Sequence, residues 1–374
     1  MKIWWTLSNE QVEAPARFVA RNSMKILVYG TGVLGSLYAA RLSAAGNDVT
    51  VLDRLHRLAD IREHGIVLEE AISGRRSVEM VGVAEELEPE APYDLVLVPV
   101  RKTHLSSVLP ALAKNRHTPN VLFMVNSASD PGEIANALGR ERVLLGFPGA
   151  GGTLEGMVVR YKILPRWIQP TTMGELDGRV SPRLKRISGA FEEAGFPVAI
   201  SSDMPSWQKT HIALVSPIAN AIYAAGGDNY RLARTRDGLV LMVRAWREGF
   251  QVLEAIGTPI TPPKLKVLKW IPELLQIVLW RQVLDTKFAE IVATRHANAA
   301  RDEMKQLADE FMELTDASDV PTPALDRLYS YIDASTPPIP EGSAEIPLGW
   351  RGQRMELGVL VVGLALALVW ARRR

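Results

Sequence analysis

The feature that most constrains the fold is a strand, a glycine-rich turn and a helix that follow one another near the start of the chain. Lys25–Tyr29 is a short run of strand-forming residues, and it leads directly into Gly30-Thr31-Gly32-Val33-Leu34-Gly35. A helical pattern comes next, then a second apolar strand, and Asp53 follows that strand 21 positions after Gly32. Glycines alone would indicate only a turn, but in this context they predict a dinucleotide-binding turn.

Each of the three glycines has a separate physical task in such a turn. Gly30 permits the sharp bend, Gly32 lets a pyrophosphate approach the backbone, and Gly35 lets the helix pack closely on the strand. The phosphates are expected at the helix N-terminus, where free N–H groups and the helix dipole favour anions. The remaining residues of the predicted cofactor-binding turn are Thr31, Val33 and Leu34.

The two residues after the second strand favour different cofactors. The carboxylate of Asp53 is suited to accept hydrogen bonds from a ribose 2′-hydroxyl, which favours NAD(H). The guanidinium of Arg54 is suited to pair with a 2′-phosphate, which favours NADP(H). The residues by themselves therefore leave the choice between the two cofactors open.

The rest of the chain predicts two domains of different character. The segments Asp94–Val100, Val121–Asn126 and Val143–Phe147 are nearly continuous apolar runs, which are typical of a parallel sheet covered on both faces. Long helical patterns follow over Leu239–Ile256 and about Ala289–Thr315. We therefore expect an α/β fold, with an N-terminal Rossmann-type domain, an all-helical C-terminal domain and an apolar C-terminal helix.

The composition excludes several classes of site. Lys and Arg number 43 against 42 Asp and Glu, so a basic excess that would favour nucleic acid is absent. The chain has no cysteine, which excludes disulfides, thiol catalysis and cysteine-ligated metals. The six histidines show no HxxxH or HxH spacing, so no metal site is predicted.

Composition also suggests the domain boundaries. Residues 1–23 are an extension, either disordered or preceding a native start at Met24, and a Pro- and Gly-rich linker precedes the apolar end of the chain. The predicted units are the extension at 1–23, the dinucleotide-binding domain at 24–180, the helical substrate domain at 181–332, a flexible linker at 333–350 and an apolar helix at 351–374.

The apolar C-terminal segment has two interpretations. Leu357–Ala371 contains 15 residues without a charge and is followed by three arginines. At about 1.5 Å per residue it spans roughly 22 Å, short of the ~30 Å hydrocarbon core of a bilayer. We expect it to contact membrane lipid, while a helix docked on a partner subunit, for example in a homodimer, is the alternative.

Five short motifs resemble those of one enzyme family. They are Met24-Lys25-Ile26, the segment Asp94–Arg101, Asn126, Trp207-Gln208-Lys209 and Arg301-Asp302-Glu303-Met304. Over about residues 24–332 the chain resembles the ketopantoate reductase (2-dehydropantoate 2-reductase) family, in which a Rossmann domain is coupled to a helical C-terminal domain.

The resemblance implies roles for particular residues. Lys209 is the implied general acid that protonates the ketone oxygen, and Glu303 is the implied partner of the lysine or the substrate. Asn126 is expected near the nicotinamide and Arg101 along the cofactor cleft. Arg54 matches an arginine that contacts the 2′-phosphate, so the resemblance favours NADP(H), with NAD(H) open because of Asp53.

The chain departs from the family pattern where the substrate is held. The positions at which the family has asparagines, a glycine, serines and an aspartate are here Ala213, Pro217, Ser127, Ile291, Val292 and Arg295. His296 lies seven residues before Glu303, so we expect the two on one helix face, with His296 as a substitute acid or carboxylate ligand. A paralogue with a different substrate is the interpretation that these changes favour.

The expected function is therefore NADP(H)-dependent transfer of a hydride between nicotinamide and a small 2-keto or 2-hydroxy acid. The expected location is cytoplasmic, with membrane association through residues 357–371. The alternative is a catalytically inactive, membrane-tethered NADP-binding sensor or assembly protein, which the lost asparagines would favour.

Overall fold

The computed structural model describes residues 23–53 and 55–349. The predicted extension up to residue 22, Arg54 and the apolar segment 357–371 lie outside these residues. The strands are β1 Lys25–Tyr29, β2 Asp48–Leu52, β3 Ile66–Glu70, β4 Arg76–Glu79, β5 Gly82–Ala84, β6 Leu95–Val98, β7 Val121–Phe123, β8 Val143–Phe147, β9 Ala150–Glu155, β10 Val158–Ile163, β11 Thr171–Glu175 and β12 Val198–Ile200. The helices are α1 Val33–Ala44, α2 Leu55–His64, α3 Leu105–Lys114, α4 Gly132–Leu138, α5 Pro182–Glu193, α6 Met204–Ala224, α7 Asn229–Arg234, α8 Arg236–Ala255, α9 Glu273–Leu284, α10 Lys287–Ala289, α11 Arg295–Ala299, α12 Arg301–Asp316 and α13 Pro323–Tyr329.

The first sheet has the strand order of a dinucleotide-binding fold. Its order is β12-β11-β8-β7-β6-β1-β2-β5, and every neighbouring pair is parallel except β11 with β8. From β5 to β8 the strands follow the order 3-2-1-4-5-6 of the doubly wound α/β fold. The crossover of the chain between β1 and β6 therefore opens a crevice at the carboxyl ends of these two strands.

A smaller sheet covers the first helix. Its order is β4-β3-β10-β9, with β3 and β10 parallel and the two outer pairs antiparallel. Helix α1 contacts strands of both sheets, and its Leu37, Tyr38 and Leu42 are fully buried. Because both of its sides are covered, the helix at the glycine turn is held rigidly.

The helical region begins later than the sequence suggests. Strand β12 pairs in parallel with β11, so α5 and β12 complete the first sheet. The structure therefore changes from sheet to helices at Met204 rather than at residue 181. Asp203 caps α6 by accepting a hydrogen bond from the backbone N–H of Ser206, and α6 then packs against α8, α12 and α13 around the buried Trp246.

The long helix predicted over about Ala289–Thr315 is broken. Residues Glu290–Thr294 form a π-helical turn, and Ala300 leaves helical geometry with φ −131° and ψ 41° between α11 and α12. The sequence pattern did not reveal the break because every residue of the segment tolerates a helix. The prediction that His296 and Glu303 share one helix face is therefore wrong, since they belong to different helices.

The segment predicted as a flexible linker is instead bound to the helical region; we refer to residues 336–349 as the strap. The backbone N–H of Ile339 donates to Ala224 O at 2.8 Å, and Ile339 itself is buried. Further along, Arg236 and Arg244 donate to carbonyl groups of the strap. The composition was misleading because proline and glycine favour an extended backbone whether or not it is docked.

A buried carboxylate makes the central contacts with the strap. Asp237 accepts hydrogen bonds from Ser343 Oγ at 2.6 Å and from the backbone N–H groups of Glu345 and Ile346 at 2.9 and 3.0 Å. Burial opposes ionisation of this carboxyl, but these hydrogen bonds lower its pKa. The carboxylate is therefore charged at neutral pH and holds the strap.

Within residues 23–53 and 55–349, no helix combines the length and apolar character needed to cross a membrane.

We predict that Asp237→Ala releases the strap. The substitution leaves the backbone N–H groups of Glu345 and Ile346 and the Ser343 hydroxyl without their acceptor, so the free energy of unfolding should fall by about 1–3 kcal/mol. Urea denaturation measures this change, and limited proteolysis should cut the strap faster. The control is Glu341→Ala, which removes a half-exposed ion pair between the strap and Arg234 and should change stability by less than about 0.5 kcal/mol. Equal effects of the two substitutions would contradict the prediction.

Candidate functional site

The glycine turn occupies the carboxyl end of β1. Gly30 has φ +103°, which favours glycine, and its N–H donates to Leu52 O at 2.7 Å. A Cβ on Gly35 would lie 1.9 Å from Gly30 O, so only glycine allows α1 to approach the turn. A Cβ on Gly32 would have no atom within 4 Å, so space is open in front of the α1 N-terminus. Thr31 lies between these glycines, while Val33 and Leu34 form the first turn of α1.

Asp53 is fixed against this turn. Its Oδ2 accepts hydrogen bonds from the backbone N–H of Thr31 at 2.6 Å and from Thr31 Oγ1. The carboxylate therefore lies beside the glycine turn, at the end of β2. The neighbouring Arg54, the predicted partner of a 2′-phosphate, lies outside the described residues.

Arg57 is a cation at this end of the crevice that sequence reasoning missed. Burial lowers the pKa of Arg57, although the carboxylates of Asp53 and Asp60 act in the opposite direction. One terminal nitrogen approaches Gly156 O at 3.5 Å, and its buried Nε has no hydrogen-bond partner in the part of the chain that the structure describes. Arg57 follows Asp53 by four residues, about one helical turn, and this spacing is the sequence signal that could have indicated Arg57.

The carboxyl ends of β6 and β7 bring two further predicted residues to the crevice. Arg101 follows β6, and its guanidinium lies 3.9 Å from Glu303 Oε2 and 3.6 Å from Asp302 Oδ1. Asn126 follows β7, and its side-chain Oδ1 is buried without a hydrogen-bond partner among the described residues. A buried amide oxygen that lacks a partner is costly, so this position is suited to a ligand.

Helix α6 places Lys209 at the same edge of the sheet. The adjacent Gln208 donates from Nε2 to Val125 O at 2.8 Å, which fixes the helix against the end of β7. The side chain of Lys209 is largely buried, and its Nζ lies 3.5 Å from Asp130 Oδ1, on the loop that follows Asn126. The carboxylate of Asp130 itself is exposed, so Lys209 reaches from the buried helix to a surface loop.

Glu303 approaches the crevice from the other side, at the start of α12. Its side chain is only 8% exposed, so it does not lie on a solvated helix face. Burial raises the pKa of Glu303, while the charge of Arg101 and the backbone N–H of Lys102 act in the opposite direction. The glutamate is thus a weakly acidic group held against the loop that follows β6.

A second buried glutamate, two helical turns after Glu303, joins the two domains and was not predicted. Glu310 Oε2 accepts hydrogen bonds from the backbone N–H groups of Ala128 and Ser129 at 2.8 and 3.2 Å and from Ser127 Oγ at 3.1 Å. Lys102 Nζ lies 3.6 Å from Glu310 Oε1 and 3.0 Å from Ser127 Oγ. Glu310 follows Glu303 by seven residues, about two helical turns. This spacing was the sequence signal that could have indicated that both glutamates lie on one face of α12.

The two histidines near the candidate residues differ in environment. His211 packs between Phe147 and Trp207, with the Trp207 ring stacked at 5.1 Å, and burial lowers its pKa to about 3. The imidazole of His211 is therefore neutral at physiological pH, and it packs against the two aromatic rings. His296 keeps solvent contact, and desolvation by the surrounding chain together with the charge of Arg101 lowers its pKa. Arg101 thus lies near both His296 and Glu303, although the two are on different helices.

The structure therefore gathers most predicted residues at one edge. Within the described residues, Lys209 and Glu303 form no hydrogen bond or ion pair with each other. They are linked to neighbouring loops instead, Lys209 to the loop after β7 and Glu303 to the loop after β6. An ammonium, a buried amide and a buried carboxyl with a raised pKa thus lie beside the loops at the carboxyl ends of β6 and β7.

Comparisons with known proteins agree with this architecture. The 2-dehydropantoate 2-reductase of Pyrococcus abyssi is 25% identical over 248 residues, which cover 65% of this chain and 78% of the relative. The solved 2-dehydropantoate 2-reductase of Geobacter metallireducens has a TM-score of 0.67 at 16% identity and covers 83% of this chain and 99% of its own. A solved D-mandelate dehydrogenase with NADH and anilino(oxo)acetate has a TM-score of 0.67 at 17% identity and covers 83% and 97%.

The structural likenesses establish the fold, because their sequence identities are low. The family is identified by sequence: residues 26–178 match the model described as ketopantoate reductase PanE/ApbA. This range contains the glycine turn, Asp53, Arg101 and Asn126. Residues 26–178 of the chain are therefore a domain of the ketopantoate reductase PanE/ApbA family.

Proposed function

We propose that the protein is an NADP(H)-dependent oxidoreductase that transfers a hydride between nicotinamide and a 2-keto or 2-hydroxy acid. The observation that carries the proposal is the convergence of Lys209, Asn126 and Glu303 from two domains on the crevice that begins at the glycine turn. Similarity to enzymes named 2-dehydropantoate 2-reductase supports the reaction class.

The residues of the crevice fit a dinucleotide. The open space at Gly32 in front of α1 suits a pyrophosphate, since helix N-termini bind anions. Asp53 and Arg57 lie at the ribose end, and the unpartnered Oδ1 of Asn126 suits the nicotinamide carboxamide. A bound NADPH supplies the hydride from its nicotinamide C4; NAD(H) remains the alternative because Asp53 is present.

Lys209 is suited to handle the proton of the reaction. When the carbonyl carbon accepts a hydride, its oxygen becomes an alkoxide. The ammonium of Lys209 stabilises that charge and donates a proton to the oxygen, and in the reverse direction the amine accepts the proton. The neighbouring Asp130 carboxylate attracts the ammonium and orients its Nζ.

The substrate end of the cleft is assigned to Glu303, Arg101 and His296. Arg101 presents a guanidinium that is suited to a carboxylate of the cofactor or substrate. Glu303, with its raised pKa, is suited to hold a substrate hydroxyl, and His296 lies near enough to Arg101 to contribute to the same end. The polar residues that the family uses for pantoyl groups are replaced by Ala213 and Pro217, so we propose a 2-keto acid other than 2-dehydropantoate.

We propose a cytoplasmic location, where NADPH is available, with attachment to a membrane through residues 357–371. The support is the sequence alone: 15 uncharged residues are bracketed by Trp350 and Trp370 and followed by Arg372–Arg374. The opposing argument is that a complete span would carry three arginines across the bilayer, which the positive-inside tendency disfavours.

The direct test is titration of the full chain with NADPH, followed by a panel of 2-keto acids monitored by loss of NADPH absorbance. Binding with turnover of at least one acid supports the proposal. Binding without turnover on any acid would favour the inactive NADP-binding protein, and absence of binding would contradict the cofactor assignment.

We predict that Lys209→Ala slows turnover while leaving NADPH affinity nearly unchanged. Loss of a positioned general acid lowers kcat by about 10²–10⁴-fold. Steady-state kinetics and cofactor titration measure the two effects. Lys185→Ala, at an exposed position on α5, is the matched control and should retain full activity. Retention of most activity in Lys209→Ala would transfer the acid role to another group, with His296 as the next candidate.

We predict that Arg57→Ala discriminates between the two cofactors. Loss of a charge-assisted hydrogen bond to the 2′-phosphate should weaken NADPH by about tenfold or more and leave NADH nearly unchanged. Arg62→Ala is the control, because Arg62 lies on the same helix but pairs with Glu85 at the surface. Equal losses for NADPH and NADH would instead indicate recognition through Asp53.

We predict that Glu303→Gln stabilises the protein at neutral pH. Because folding raises the pKa of Glu303, its ionised form destabilises the folded state above that pKa, and the penalty disappears below the ordinary glutamate pKa. The stability gain of the variant should therefore be present near pH 8 and shrink towards pH 4. Thermal unfolding over this range measures it. Asp302→Asn, at an exposed neighbouring position, is the control and should show no comparable gain in stability. A gain for Glu303→Gln that does not change with pH would contradict the raised pKa of Glu303.

A further inference from the structure

One segment of the helical domain concentrates exposed apolar side chains. Six of the fourteen large apolar side chains that are exposed in the described part of the chain lie within residues 267–279. We refer to these six as the apolar patch: Val267, Trp270, Leu274, Leu275, Val278 and Leu279. Trp270 is 69% exposed and Leu279 is 50% exposed, so these side chains lie on the surface rather than partly within the hydrophobic core. Exposed apolar side chains concentrated in one short segment are typical of an interaction site.

The orientation of α9 is fixed by its polar residues. Glu273 is buried in an ion pair with Arg244 at 2.9 Å, and Gln276 donates from Nε2 to Leu268 O and Ile271 O at 2.7 and 2.9 Å. These contacts hold the polar face of the helix inward. The aliphatic face, with side chains one turn apart, is consequently directed outward and cannot turn into the core without breaking them.

Positive charge accompanies the patch. Lys264 and Lys266 are exposed on the 3₁₀ helix Pro263–Lys269, just before the patch, and Arg281 is exposed in the last turn of α9. Lys269 is paired with Glu254, and Asp285 is the acidic residue at the far end of the helix. An apolar surface with basic residues at its border is the composition of helices that lie in the interface of anionic membranes.

The strap ends at the same place. The backbone N–H of Gly349 donates to Glu273 Oε1 at 3.0 Å, at the N-terminus of α9. The chain therefore leaves its described part beside the apolar patch, and the 25 residues that follow include the uncharged run 357–371 and several arginines. The described part of the chain thus ends beside the apolar patch, and the sequence after it contains a second apolar segment bordered by basic residues.

We propose that the apolar patch is a membrane-contact surface, which inserts Trp270 and the α9 aliphatic side chains among the headgroups of anionic lipids. A lipid surface satisfies both features, because its interface accepts apolar side chains while its headgroups attract Lys264, Lys266 and Arg281. A second copy of the chain fits less well, since a two-fold contact places the same basic residues near one another. The proposal is independent of the catalytic assignment.

The test compares two exposed tryptophans in the full-length protein. Trp270→Ser alters the patch, and Trp167→Ser alters a tryptophan that is 77% exposed on the first domain. Co-sedimentation is measured with vesicles of phosphatidylcholine containing phosphatidylglycerol and with phosphatidylcholine alone. We expect Trp270→Ser to weaken binding to the anionic vesicles by about tenfold and Trp167→Ser to leave it unchanged. Lys264→Glu with Lys266→Glu should also abolish the preference for anionic vesicles.

Several outcomes would overturn the proposal. Equal vesicle binding of the two tryptophan variants would assign membrane attachment to residues 357–371 alone. A dimer in light scattering that Trp270→Ser dissociates, without vesicle binding of the unaltered chain, would assign the patch to a second copy. Circular dichroism and thermal unfolding verify that each variant is folded, so these outcomes do not depend on NADPH binding or on the catalytic proposal.

Discussion

The carboxylate of Glu310 is the contact on which the geometry of the site depends. It lies on the helical domain, yet it accepts hydrogen bonds from two backbone N–H groups and a hydroxyl of the loop that follows β7. A buried carboxylate is tolerated only when it is paired and hydrogen-bonded, and here the first domain supplies its donors, including Lys102. The two domains are therefore held together at the carboxyl edge of the sheet, beside the loop after β7 that contains Asn126 and that Lys209 contacts through Asp130.

The position of the cleft follows from the topology of the sheet. Parallel strands end at one edge, and the reversal of strand order between β1 and β6 separates the loops there, so that a ligand is admitted. Helix α6 is anchored at this edge by Gln208, and α12 by Glu303 and Glu310. Each helix therefore carries its candidate residue next to a contact that fixes the helix to the first domain.

Errors in the sequence-based interpretation share one physical origin. The strap has the composition of a linker, but Asp237 accepts hydrogen bonds from its backbone, and Arg231, Arg236 and Arg244 donate to its carbonyl groups. No local sequence pattern encodes those partners. The helix containing His296 is interrupted at Ala300 by a backbone conformation that alanine does not signal. Arg57 was overlooked because its relevance depends on how α2 is placed against Asp53 and Gly156. In all three cases the deciding contacts join residues that are distant in sequence or depend on the packing of an element.

The sequence by itself determined the glycine turn, the alternation of strands and helices, and the identities of Asp53, Arg101, Asn126, Lys209 and Glu303 as candidates. The glycine turn, the alternation of elements and Asp53 follow from short-range physics, since backbone freedom, apolar periodicity and motif spacing are expressed within a few residues. The other four candidates were implied by the resemblance of short motifs to the ketopantoate reductase family. Only the tertiary structure decided that Glu303 and Glu310 are buried, that the strap is docked and that α9 directs aliphatic side chains outward. Burial and charge environment are set by residues hundreds of positions apart, which become neighbours only when the chain has folded.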